Sequence, residues 1–163
     1  MASRHVIVTA LLLLAVASSS RAAVDLSLSF GARNERNSSG SPLAVGLAAD
    51  LGSRSWPVLP EVGVQIGFLD EAELSLGLVH YWDFSAYRLH LGGGVASLSG
   101  NSTDSTKGGY LHGGIAWSRG GSLSLGIDLR ILRVDDSFVK GVSNPSSYEQ
   151  LAFLMRWRWW RDR

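Results

Sequence analysis

The side chains with chemistry to offer in this 163-residue chain are four histidines, 14 carboxylates, 13 arginines and two lysines, and there is no cysteine. The missing thiols exclude a disulfide scaffold, an iron–sulfur or thiolate–zinc site, a cysteine nucleophile and lipid attachment through an N-terminal cysteine. No G-x-S-x-G elbow, phosphate-binding loop or complete G-x-G-x-x-G occurs either. With a formal net charge of +1 there is no basic surplus to pair with phosphates, so no nucleic-acid partner is expected. What remains is a set of histidines, acids and arginines, and their chemistry depends on the elements that carry them.

The first of those elements is an address. Arg4 gives a positive start, Val6 to Ala17 is an apolar stretch broken only by Thr9, and Ser20 and Ala22 occupy the −3 and −1 positions of a signal-peptidase site. The apolar run is too short for a membrane-spanning helix, which needs about 20 residues. Residues 1–22 are therefore read as a signal peptide cleaved after Ala22, with Ala15-Val16-Ala17 as a second site and a buried N-terminal helix as the competing reading. Residues 23–163 form one domain.

That domain alternates with period two. Apolar faces recur at Val24 to Phe30, Leu43 to Leu51, Val62 to Phe68, Leu74 to Leu78, Tyr87 to Val95, Leu111 to Trp117, Leu123 to Ile131 and Leu151 to Trp159. These are eight strands of nearly bilayer-crossing length, about 9–11 residues at a tilt, and an even number suits a closed antiparallel barrel. Connections are expected near 34–42, 52–60, 69–72, 83–86, 97–108, 119–121 and 135–147. If the N-terminus is periplasmic, three of the four extracellular connections are long and polar. The opposite strand faces are Gly, Ala and Ser with occasional Arg, Asp and His, where a water-facing surface would carry Lys, Glu, Thr and Gln. Small residues suit the interior of a narrow barrel and leucine suits lipid. Tyr81, Trp82, Phe84, Trp117, Trp157, Trp159 and Trp160 lie near strand ends, where amphipathic rings favour the membrane interface. The fold class is thus all-β, an eight-stranded antiparallel up-and-down transmembrane barrel.

Tyr87-Arg88-Leu89-His90-Leu91-Gly92-Gly93-Gly94-Val95, Gly121 to Arg130 and the Trp-rich terminal strand give the mature chain its resemblance to small eight-stranded outer-membrane β-barrel proteins of Gram-negative bacteria. The resemblance implies the outer membrane, export through the Sec pathway, lipid and lipopolysaccharide as surroundings, and the barrel-assembly machinery as a partner in biogenesis. Arg161-Asp162-Arg163 trail the last aromatic residue and depart from the usual ending. The lipid A deacylases among such barrels carry a His-x-Ser pair, and none of His5, His80, His90 or His112 is followed two residues later by Ser. No catalytic residue and no cofactor is assigned.

The inward faces are expected to carry Asp25, Asp50, Glu73, Arg88, His90, His112, Asp128, Arg130, Glu149, Arg156 and Arg158. In a low-dielectric lumen these charges must pair, so they are read as a structural salt-bridge plug, with a narrow conduit or ligand pocket as the alternative. Folding the 97–108 hairpin places residue 94 opposite His112, which sets His90 and His112 about four residues, or about 13 Å, apart. Zinc ligands lie about 2 Å from one ion, so no metal site is expected. The glycines at 92–94 are read as packing space. Asn37-Ser38-Ser39 and Asn101-Ser102-Thr103 are polar loop residues, and Asp104, Asp135, Asp136, Lys107 and Lys140 are loop charges that could meet divalent cations or lipid phosphates. The leading reading is a non-enzymatic barrel with a role in envelope structure or surface interaction. The alternatives are a narrow channel, a lipid A-modifying enzyme with an unfamiliar catalytic set, and a secreted soluble β-protein with a ligand cavity.

Overall fold

Alternating apolar and small residues on neighbouring strands allow a sheet to curl until its edges meet, which leaves no backbone group unpaired in lipid. A computed structural model of the chain shows this closure and describes residues 23–35, 43–52, 56–67, 72–99, 105–118, 122–134 and 147–159. Eight strands follow in order: β1 Ala23–Glu35, β2 Leu43–Gly52, β3 Leu59–Gly67, β4 Ala72–Asp83, β5 Tyr87–Ser99, β6 Ser105–Trp117, β7 Leu123–Val134 and β8 Tyr148–Trp159. Each pairs antiparallel with its sequence neighbours, and β1 closes on β8 from Val24↔Trp159 to Glu35↔Tyr148. The expected signal peptide, Trp160, the two Asn-x-Ser/Thr loops, Asp104, Asp135, Asp136 and Lys140 lie outside the described residues.

The leucine faces point outward. Leu78 is 56% exposed, Leu111 63% and Phe153 73%, and the band continues through Leu28, Leu47, Ile66, Leu91, Val95, Leu125 and Leu129. A soluble barrel would turn these residues inward, so this exterior removes the soluble reading. Trp56, Trp82, Phe84, Tyr87 and Trp117 are exposed at one rim, the end where β1 begins and β8 finishes, and Phe84 stacks on Tyr87 with ring centroids 4.6 Å apart. This is where interfacial rings belong.

Three expectations change. Tyr81 is lumenal rather than interfacial, because it shares the parity of Glu73, Ser75 and Val79, and its hydroxyl donates to Asp50. Glu149 faces outward with Leu151 and Phe153, and meets Arg133 on the surface at 3.1 Å. The β5–β6 hairpin is tighter than expected: its ladder runs to Ser99↔Ser105, so the 97–108 connection contracts to residues 100–104.

Candidate functional site in the barrel lumen

The tighter hairpin decides what the lumen contains. Gly92, not residue 94, stands opposite His112, and His90 stands opposite Gly114. Each imidazole therefore lies over the glycine of the other strand. A Cβ on Gly92 would come 2.2 Å from His112 Nε2, and one on Gly114 would come 2.7 Å from His90 Cε1. The glycines do provide packing space, and what they house is the histidine pair. The ring centroids are 5.5 Å apart, which corrects the expected separation of about 13 Å.

Both rings turn to one carboxylate. Asp128 Oδ1 lies 2.6 Å from His90 Nε2 and 3.3 Å from His112 Nδ1. On the other side of its ring, His112 Nε2 is 3.3 Å from Glu61 Oε2, while the Tyr110 hydroxyl donates to Glu61 Oε1 at 3.0 Å. Glu61 on β3 and Tyr110 and His112 on β6 are not neighbours in the sheet, so the contact crosses the lumen.

Above this layer, toward the opposite rim, Glu73 is enclosed by donors. Arg130 and the Tyr148 hydroxyl both donate to it, and Arg33 Nη2 lies 3.6 Å away. Arg33 also donates to Gln65 Oε1 at 2.8 Å and to Gln150 Oε1 at 3.2 Å. The guanidinium of Arg33 lies 4.3 Å from the Tyr148 ring centre, and that of Arg130 lies 3.9 Å from Tyr110, which places cations over π-faces. Ala96, Leu98, Leu132, Tyr110 and Tyr148 pack as an apolar cluster at this level.

Below the histidines, Arg88 donates to Asp25 at 3.0 Å and also to Asp83, and Arg158 approaches both acids at 3.7 and 3.8 Å. Arg156 is buried with its guanidinium 4.8 Å from the Tyr81 ring centre, and its Nε and Nη1 have no hydrogen-bond partner among the described residues. A cavity of about 250 Å³ opens here, lined by Arg88, Arg156, Arg158, Asp83 and four serines among others.

Of the expected lumenal residues, the structure joins Asp25, Arg88 and Arg158 in one cluster, Glu73 and Arg130 in a second, and His90, His112 and Asp128 in a third. Asp50 and Arg156 face the same Tyr81. Residues that carry these clusters but were not singled out from sequence are Arg33, Glu61, Gln65, Asp83, Tyr110, Tyr148 and Gln150. Most lie at the parity of the small residues, and that parity could have found them: Arg33 follows Gly31, Glu61 precedes Gly63, and Asp83 follows Tyr81.

The crystal structure of Neisserial surface protein A superposes with a TM-score of 0.62 at 12% identity, covering 86% of this chain and 98% of that one. The fold is that of the small outer-membrane barrels. The N-terminal β-barrel domain of Pseudomonas aeruginosa OprF matches at 0.59 and 10% identity over 84% and 97% of the two chains. The outer membrane enzyme PagL matches at 0.55 and 16% identity over 81% and 97%. No protein-family profile and no curated protein sequence matches the chain. Likeness at these identities establishes architecture alone, and one of the matched structures is an enzyme, so activity has to be argued from the lumen.

Proposed function

We propose that this chain is a bacterial outer-membrane protein whose barrel anchors in lipid, whose lumen is sealed by paired charges, and whose role in envelope structure or surface interaction rests with its connecting loops. The observation that carries this reading is the Glu73 cluster. Tyr148 on β8 reaches Glu73 on the diametrically placed β4, and Arg33 and Arg130 approach the same carboxylate from β1 and β7. Side chains tied across the full diameter support a lumen closed to solutes. The apolar exterior suits outer-membrane lipid and lipopolysaccharide. On this reading residues 1–22 direct export and the barrel-assembly machinery inserts the domain. The non-catalytic assignment is supported by the histidines, which face carboxylates rather than a serine or threonine hydroxyl and are buried at 3% and 6% exposure.

Planar-bilayer recording tests the seal. Purified protein that shows the heat-dependent gel shift of a folded barrel is expected to give no discrete openings. Stable, large conductance steps from the same sample would overturn the reading and favour a channel.

A further inference from the structure

We propose that His90, His112 and Asp128 form a binding site for one first-row divalent cation, with zinc as its representative, inside the barrel. The donor set is two imidazole nitrogens and one carboxylate oxygen, the combination suited to zinc and its neighbours rather than to magnesium or calcium. One ligand atom from each residue lies within 4.8 Å of the others. In a tetrahedron with bonds of about 2.0 Å the donors stand about 3.3 Å apart. The His112 Nδ1 to Asp128 Oδ1 distance of 3.3 Å already meets that value, and side-chain rotation closes the remainder.

Three further observations point the same way. Among the described residues His90 Nδ1 is buried without a hydrogen-bond partner, which a network serving only to pair charges would not leave. Ligation through His112 Nδ1 leaves its Nε2–H facing Glu61, itself held by Tyr110. A carboxylate behind a ligating imidazole fixes its tautomer and orientation, a pairing that metal-binding histidines almost always show. Finally, a cavity of about 40 Å³ borders His112, Asp128, Glu61, Ser27 and Ser29, offering room for a water ligand. Arg156 lines both this cavity and the larger one at the terminus-side rim.

The charge inventory favours a cation. Among the described residues the lumen holds the carboxylates Asp25, Asp50, Glu61, Glu73, Asp83 and Asp128 against the guanidiniums of Arg33, Arg88, Arg130, Arg156 and Arg158. Asp83 sits half-exposed at the rim, and the two carboxylates paired with histidines rather than arginines are Glu61 and Asp128.

The test uses tag-free residues 23–163 folded in detergent and dialysed against Zn(II), with bound metal measured by mass spectrometry and folding by gel shift. One zinc per chain is expected. His112→Gln and Asp128→Asn should weaken binding at least about 100-fold, and Glu61→Gln about 10–100-fold, while His80→Gln on the outer face leaves it unchanged. Co(II) in place of zinc should give the intense visible bands of a four-coordinate site, lost in the His90→Gln/His112→Gln double variant. Folded wild-type protein that binds no zinc would overturn the proposal. So would a folded double variant that binds zinc as tightly as wild type.

Discussion

The two ends of the lumen use the same residue types to opposite effect. At the loop-side end, Glu73 takes up Arg33, Arg130 and Tyr148, glutamines occupy the spare donors of Arg33, and Leu98 and Leu132 pack alongside. At the terminus-side end, Asp25 and Asp50 each keep a buried oxygen without a partner, as do Nε and Nη1 of Arg156, beside the cavity of about 250 Å³. A buried charge contributes stability only when its hydrogen-bonding capacity is met, and costs it otherwise. Among the described residues Arg130 Nε and Thr106 Oγ1 are left unpartnered at the loop-side end as well, so what separates the ends is the Glu73 cluster with its apolar packing, the lock, against the terminus-side cavity, where water and small ions enter. The histidine layer lies between them, closed to one side and reachable from the other.

The strongest way to break this contrast is to remove one acid from each end. Glu73→Gln leaves two buried guanidiniums facing a neutral amide and should cost about 3–5 kcal/mol of folding stability. Asp50→Asn removes a carboxylate that already lacks a partner for one oxygen and should cost about 1 kcal/mol. Urea titration of the barrel in phospholipid vesicles measures both, and equal losses would remove the distinction between the ends. A smaller effect sharpens it. Tyr148→Phe deletes one hydroxyl donated to Glu73 while keeping the ring under Arg33, and should cost about 1.5–3 kcal/mol in the same titration.

The barrel itself was legible because period-two alternation is a backbone property: side chains at i and i+2 must share a face. The same rule, applied strictly, assigns Glu149 to the outside with Leu151 and Tyr81 to the inside with Glu73. Both misassignments come from weighing residue type over parity, a charge taken as lumenal and a ring as interfacial. The histidine site was not legible, because its geometry depends on a hairpin register. Ser99↔Ser105 in place of a 97–108 loop halves the offset of His90 and His112 from four residues to two. Gly100 to Asp104 is one turn-rich piece of a polar run from 97 to 108, and composition alone does not mark where within that run the ladder ends. Arg33 and Tyr148 were missed for a related reason, since they sit where β1 and β8 extend beyond the alternating segments.

The most direct test of a lumen sealed above and open below uses the chain's lack of cysteine. Ser124 lines the terminus-side cavity, whereas Ala96 is 4% exposed in the apolar cluster at the level of Glu73. Ser124→Cys and Ala96→Cys variants, each folded in lipid vesicles, are treated with a water-soluble maleimide. Ser124→Cys should label readily and Ala96→Cys at least about tenfold more slowly, with both reacting fully once the barrel is heat-unfolded. Equal labelling rates in the folded barrel would mean a lumen open to solvent along its length, and would contradict the account.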